Sequence, residues 1–155
     1  MDPAPIHFSL KSAGRIRILL SGFILILGSA VYILFRPGEY LFFRWAGFFG
    51  LDLFISNLRD HTSSFHLHLP EWFIYSLPGG LWAFALTLII STIWSGSTSR
   101  LKYFWLALVT GLVLGFELLQ LAAFIPGVFC WQDFFFGTAG LASGFCFETN
   151  PKKSV

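Results

Sequence analysis

Charge is what this chain has least of. Asp, Glu, Lys and Arg together supply 12% of its 155 residues, about half the share of an ordinary soluble domain. The net charge of +2 is small and scattered, which argues against a nucleic-acid-binding surface. Cysteine is also scarce. Cys130 and Cys146 are too few for a disulfide framework. Along a helix they would lie ~24 Å apart, beyond the reach of a bridge. No internal repeat and no low-complexity linker divides the chain, so residues 1–155 read as one domain.

What is present is apolar. Hydrophobic residues make up 55% of the chain, Phe alone occurs 20 times, and the mean hydropathy is +0.72. So much apolar surface on so small a chain has to face lipid. The composition predicts an all-α integral membrane protein.

Residues 1–17 form a polar, basic tail with Lys11, Arg15 and Arg17. Residues 18–35 follow without a charge, nearly enough to cross a ~30 Å hydrocarbon core. A basic start before an apolar run also fits a signal peptide. The run is long for one, and no small-x-small cleavage site ends it before Arg36, so it reads as a retained span.

Residues 36–58 are rich in Phe and Trp but hold Arg44 and Asp52. A span there would bury one of these charges, so an interfacial or re-entrant aromatic helix is expected instead. Charge placement supports that choice. Without a span at 36–58, Lys11, Arg15, Arg17, Arg100, Lys102, Lys152 and Lys153 fall on one side, and Arg36, Arg44 and Arg59 on the other. The richer side is the cytoplasmic one. Arg100 and Lys102 then act as topology determinants. The expectation is four transmembrane helices, 77–94, 103–124 and 134–147 joining the first, with the N-terminus cytoplasmic. The last run is short, ~21 Å as a helix, and needs tilt or local thinning to cross.

Three polar residues stand out in the last two runs. Glu117 and Gln120 share a helix face near the outer end, and Asp133 opens the next segment after a Pro-Gly loop. Ionisable residues within apolar segments are functional candidates by default. Gly111 and Gly115, and Gly140 and Gly144, have the four-residue spacing that lets membrane helices approach closely. Glu117 and Asp133 are the candidate catalytic carboxylates. With Gln120, Arg44 and Arg59 they are also the candidate ligand-binding residues. Structural alternatives stand beside these: Asp133 as a helix N-cap, Glu117 paired with Arg44 or Arg59 or hydrogen-bonded to a neighbouring backbone, Gln120 merely satisfying Glu117, and glycines that only pack.

The outer loop 59–71 contains His61, His66, His68 and Glu71. These are zinc-ligand types, but His-x4-His-x-His is no recognised signature. The expectation is no metal and no cofactor, with a site at His61, His66 and His68 as the alternative. Ser63 and Ser64 lack a nucleophile-elbow context.

Glu117-x-x-Gln120, a short loop, and Asp133 followed by Gly140 and Gly144 resemble the VanZ-like family, named for a teicoplanin-resistance membrane protein. That pattern is an E-x-x-Q helix end and a D-x-x-x-N-x-x-G helix. Pro78 and Gly80 match the Pro-x-Gly at the start of the family's preceding span. The resemblance covers roughly residues 70–147, and the rest by layout. Gly137 stands where the family has Asn, the loop 121–132 carries no Arg where many members have one, and the extra span of some members is missing. The resemblance implies a helical membrane scaffold in the bacterial inner membrane, tied to the cell envelope and to antibiotic resistance. It implies no particular reaction. Two readings follow. One is a protein that binds membrane lipid, a lipid-linked glycan or a membrane partner, a second copy included, through an outward-facing cluster. The other is a small membrane enzyme acting on lipid-linked substrates by carboxylate acid–base chemistry. Alternating-access transport is a weaker third, because four short spans leave little room for it.

Overall fold

The structure is a computed structural model describing residues 12–36, 41–66, 69–95, 97 and 99–148. Its elements are α1 (Ser12–Phe35), α2 (Leu41–Phe48), α3 (Asp52–His66), α4 (Glu71–Tyr75), α5 (Leu77–Ile93), α6 (Leu101–Leu121) and α7 (Trp131–Glu148). Every element among the described residues is helical. Three stretches are long and apolar enough to cross a membrane: Ser12–Phe35, Glu71–Ile93 and Leu101–Leu121. The fourth expected span does not join them. Gln132, Asp133 and Glu148 lie within α7, and small residues fill its middle, so its hydropathy falls short although its length does not.

α5 lies at the centre. It is apolar on all sides, as a helix enclosed by others should be. Ala85, Thr87, Leu88 and Ser91 are wholly buried. α1 packs on one flank and α7 on the other, while α6 covers α5 and α7 from a third side. Ala83, Val109 and Leu141 bring α5, α6 and α7 into one apolar cluster, flanked by Ile90, Val113, Leu114 and Phe145.

Small residues set the closest approach. A Cβ at Gly140 would overlap the Gly80 carbonyl oxygen, and one at Gly144 would sit 2.7 Å from Thr87 Cβ. A Cβ at Gly80 would lie 2.8 Å from the Phe136 carbonyl oxygen. Residues 80 and 87 thus meet 136–140 and 144 in the same order, and α5 and α7 run parallel. Gly111 and Gly115, the other expected pair, face open space: a Cβ at either would meet nothing within 4 Å.

The single aromatic helix expected over 36–58 is two helices. α2 ends at Phe48 and the backbone turns at Gly50, with φ +69°, a conformation that costs little only without a Cβ. Asp52 then stands in the first turn of α3, where a negative charge favours helix initiation. Among the described residues α2 packs only against α3, and α3 also packs against α1. Phe48, Phe49, Leu53 and Phe54 around the elbow are all exposed.

α6 stops earlier than its apolar run. The expected span reached Phe124, but the helix ends at Leu121 in a Schellman motif. Phe124 N–H donates to Leu119 O at 2.9 Å and Ala123 N–H to Gln120 O at 3.0 Å. Ala123 takes the left-handed position, φ +57°, where glycine is usual.

Candidate functional site

The end of the α6–α7 hairpin gathers the polar residues. α7 begins one residue after Cys130, whose carbonyl accepts from Phe134 N–H at 3.1 Å. Cys130 is therefore the N-cap, and Asp133 lies in the first turn rather than at the cap. An N-cap residue has a backbone N–H that no helical carbonyl can reach. Glu117 supplies the acceptor: its Oε2 takes the Cys130 N–H at 3.3 Å. A carboxylate from α6 thus satisfies the start of α7.

Asp133 stands close enough to Glu117 for their charges to interact. Its Oδ1 is buried and has no hydrogen-bond partner among the described residues. Buried polar atoms without a partner are uncommon and call for an explanation. The positive end of the α7 dipole offsets part of the charge placed there. Gln120 leans over the loop, so that a Cβ at Gly127 would strike its amide nitrogen. Gly127, at φ +139°, is what allows the loop to pass under Gln120. Glu117, Gln120 and Asp133 therefore converge, with Cys130 and Gly127 as backbone participants. Neither backbone residue was among the expected site residues. The one sequence signal for them is the Pro126-Gly127 turn.

Arg44 and Arg59 do not join this group. Arg44 is exposed on α2. Arg59, on α3, donates from its guanidinium to the Arg36 carbonyl at 2.6 Å. Arg36 in turn donates to Tyr75 O at 2.8 Å and lies over the rings of Tyr32 and Tyr75. These arginines tie α3, the end of α1 and α4 together. α3 makes no packing contact with α6 or α7 among the described residues. One aromatic contact links the two groups of helices at this end. Trp72 of α4 stacks on Phe136 of α7, with centroids 5.6 Å apart and planes 9° from parallel.

His61 is hydrogen-bonded through Nδ1 to the Asn57 carbonyl at 2.8 Å. The side chain of His66 and the whole of His68 lie outside the described residues. No metal-binding group of three or more His, Cys, Asp or Glu occurs among those described.

Chemically, the hairpin end is rich in acceptors. Glu117 already accepts the Cys130 N–H, Asp133 Oδ1 has no partner among the described residues, and the Gln120 amide carries both an acceptor and a donor. Such a site suits a ligand that brings hydrogen-bond donors, such as hydroxyls or an amine. No protein-family model matches the chain, nor does any curated protein or solved structure at a significant level.

Proposed function

We propose that this is a small polytopic cell-envelope protein that binds a membrane amphiphile at the α6–α7 hairpin end. The ligand is a lipid or a lipid-linked glycan, or in its place the polar end of a partner membrane subunit or a second copy. Glu117, Gln120 and Asp133 are the residues that recognise it. The observation that carries this reading is the buried Asp133 Oδ1 left without a partner beside Glu117. A donor-bearing head group would satisfy it.

Four spans are the topology that goes with this reading, α7 being the fourth. Its 18 residues reach ~27 Å, and its glycine face lies on α5 rather than in lipid. The excess of Lys and Arg in 1–17, 100–102 and 152–153 supports a cytoplasmic N-terminus and an outer hairpin end. The VanZ-like resemblance supports a bacterial inner membrane and a role linked to envelope antibiotics.

The second reading is an enzyme on lipid-linked substrates, with Glu117 or Asp133 as general acid or base. It is favoured by two neighbouring carboxyl groups of different bonding. Gly137 in place of the family's Asn weighs against it.

Lipid analysis of detergent-purified protein tests the binding reading. Wild type should carry a tightly held amphiphile in near-stoichiometric amount, and Asp133→Asn and Glu117→Gln should lose most of it. Equal retention by all three would contradict it. A covalently altered lipid after incubation with an envelope extract, absent with Glu117→Gln, would favour the enzyme.

A further inference from the structure

The loop between α6 and α7 is unlike a loop built for water. From Leu118 to Gln132 the chain contains no charged residue. Phe124 is 80% exposed, Val128 88% and Trp131 73%. They follow in the chain on the exposed apolar residues Leu112, Phe116 and Leu119 of α6. Large apolar side chains exposed in such number mark an interaction site.

The loop backbone is satisfied within the protein in part. Ala122, Ala123 and Phe124 donate their amides back to Leu118, Gln120 and Leu119. Cys130 N–H is taken by Glu117, and Pro126 has no N–H to satisfy, while the N–H groups of Ile125, Gly127, Val128 and Phe129 have no partner among the described residues. Unpaired backbone groups are excluded from the hydrocarbon core, so these amides belong at head-group level, where water and lipid polar groups are within reach.

We infer that the loop Ala122–Cys130 is seated in the lipid at the membrane interface, apolar side chains downward, rather than projecting into water. Its occupant is the surrounding leaflet, because the uncharged loop follows directly on α6, which is apolar enough to cross a membrane and has little of its surface buried in the protein. Phe124 and Val128 enter the acyl boundary, and Trp131 anchors at head-group level, where indoles collect. The cluster of Glu117 and Asp133 then opens sideways into the leaflet. A ligand reaches it by lateral diffusion, with its tail never leaving lipid. This inference rests on the proposed reading of α6 as a span and goes beyond it.

Nitroxide accessibility tests it. Phe124→Cys and Val128→Cys are made in a Cys130→Ser, Cys146→Ser background. Leu112→Cys, in the middle of α6, and Asn57→Cys, on the exposed polar face of α3, serve as references. The labelled full chain is reconstituted in phosphatidylcholine–phosphatidylglycerol vesicles. Collisions with oxygen and with a water-soluble nickel chelate are compared. The expected result is an oxygen-to-nickel ratio at 124 and 128 several-fold above that at 57 and close to that at 112. A nickel-dominated signal at 124 and 128, with 112 still oxygen-dominated, overturns the inference and leaves the span intact. Low collision with both reagents at 124 and 128 means protein covers the loop, and overturns it equally. A nickel-dominated signal at 112 removes the span, and the inference falls with it.

Discussion

Glu117 on α6 accepts the backbone N–H of Cys130, the N-cap of α7, at 3.3 Å. The carboxylate is thus both a structural cap and a member of the polar cluster. Substitutions separate the two roles. Glu117→Gln keeps an acceptor and should cost less than about 1 kcal/mol of stability. Glu117→Leu leaves the amide unpaired and should cost about 1–3 kcal/mol. Denaturant titration in mixed micelles reads the difference. Equal costs for the two would remove the capping role.

The glycines separate in the same way. Gly140→Leu and Gly144→Val press into α5 backbone and Thr87. Each should destabilise by about 2–3 kcal/mol or prevent folding. Gly111→Ala and Gly115→Ala meet open space. They should be neutral or gain up to about 1 kcal/mol from helix propensity. Loss of folded protein on Gly111→Ala would mean that this face is covered after all.

Ala123 sits at φ +57°, which costs a residue with a Cβ about 1 kcal/mol. Ala123→Gly should recover about that amount, and Ala123→Val should lose more than alanine does. Unfolding midpoints of the three variants check the order.

The proposed orientation rests on the placement of Lys and Arg. In intact cells, an impermeant maleimide should label Asn57→Cys in the cysteine-free background. Ser97→Cys, in the exposed turn between α5 and α6, should label only after permeabilisation. The reverse pattern would invert the chain and turn the hairpin end toward the cytoplasm.

Much of the fold was legible because run length and hydropathy suffice to mark a spanning helix. α1, α5 and α6 appear in the sequence almost as they appear in space. Three features were hidden for identifiable reasons. Gly50 lies within an aromatic-rich run that reads as continuous, and only its left-handed backbone shows the elbow. The end of α6 depends on an alanine in a conformation that its residue type disfavours. Which glycine pair is in contact depends on which face each neighbouring helix takes, and spacing does not carry that. At the site, the approach of Glu117 to the start of α7 was legible because a short Pro-Gly loop has to fold α7 back on α6. The removal of Arg59 to Arg36 was not, since it depends on where α3 docks.

The most direct test of the account is ligand-linked stabilisation. Purified protein is melted with phosphatidylethanolamine, phosphatidylglycerol or a polyprenyl-linked sugar added in turn. Ligand at 100 times its Kd stabilises by about 2.7 kcal/mol, several degrees in Tm. At least one of these amphiphiles should raise the wild-type Tm by that margin. The rise should vanish in Asp133→Asn, whose fold is otherwise kept. A rise of equal size in wild type and Asp133→Asn would place the binding elsewhere and contradict the account.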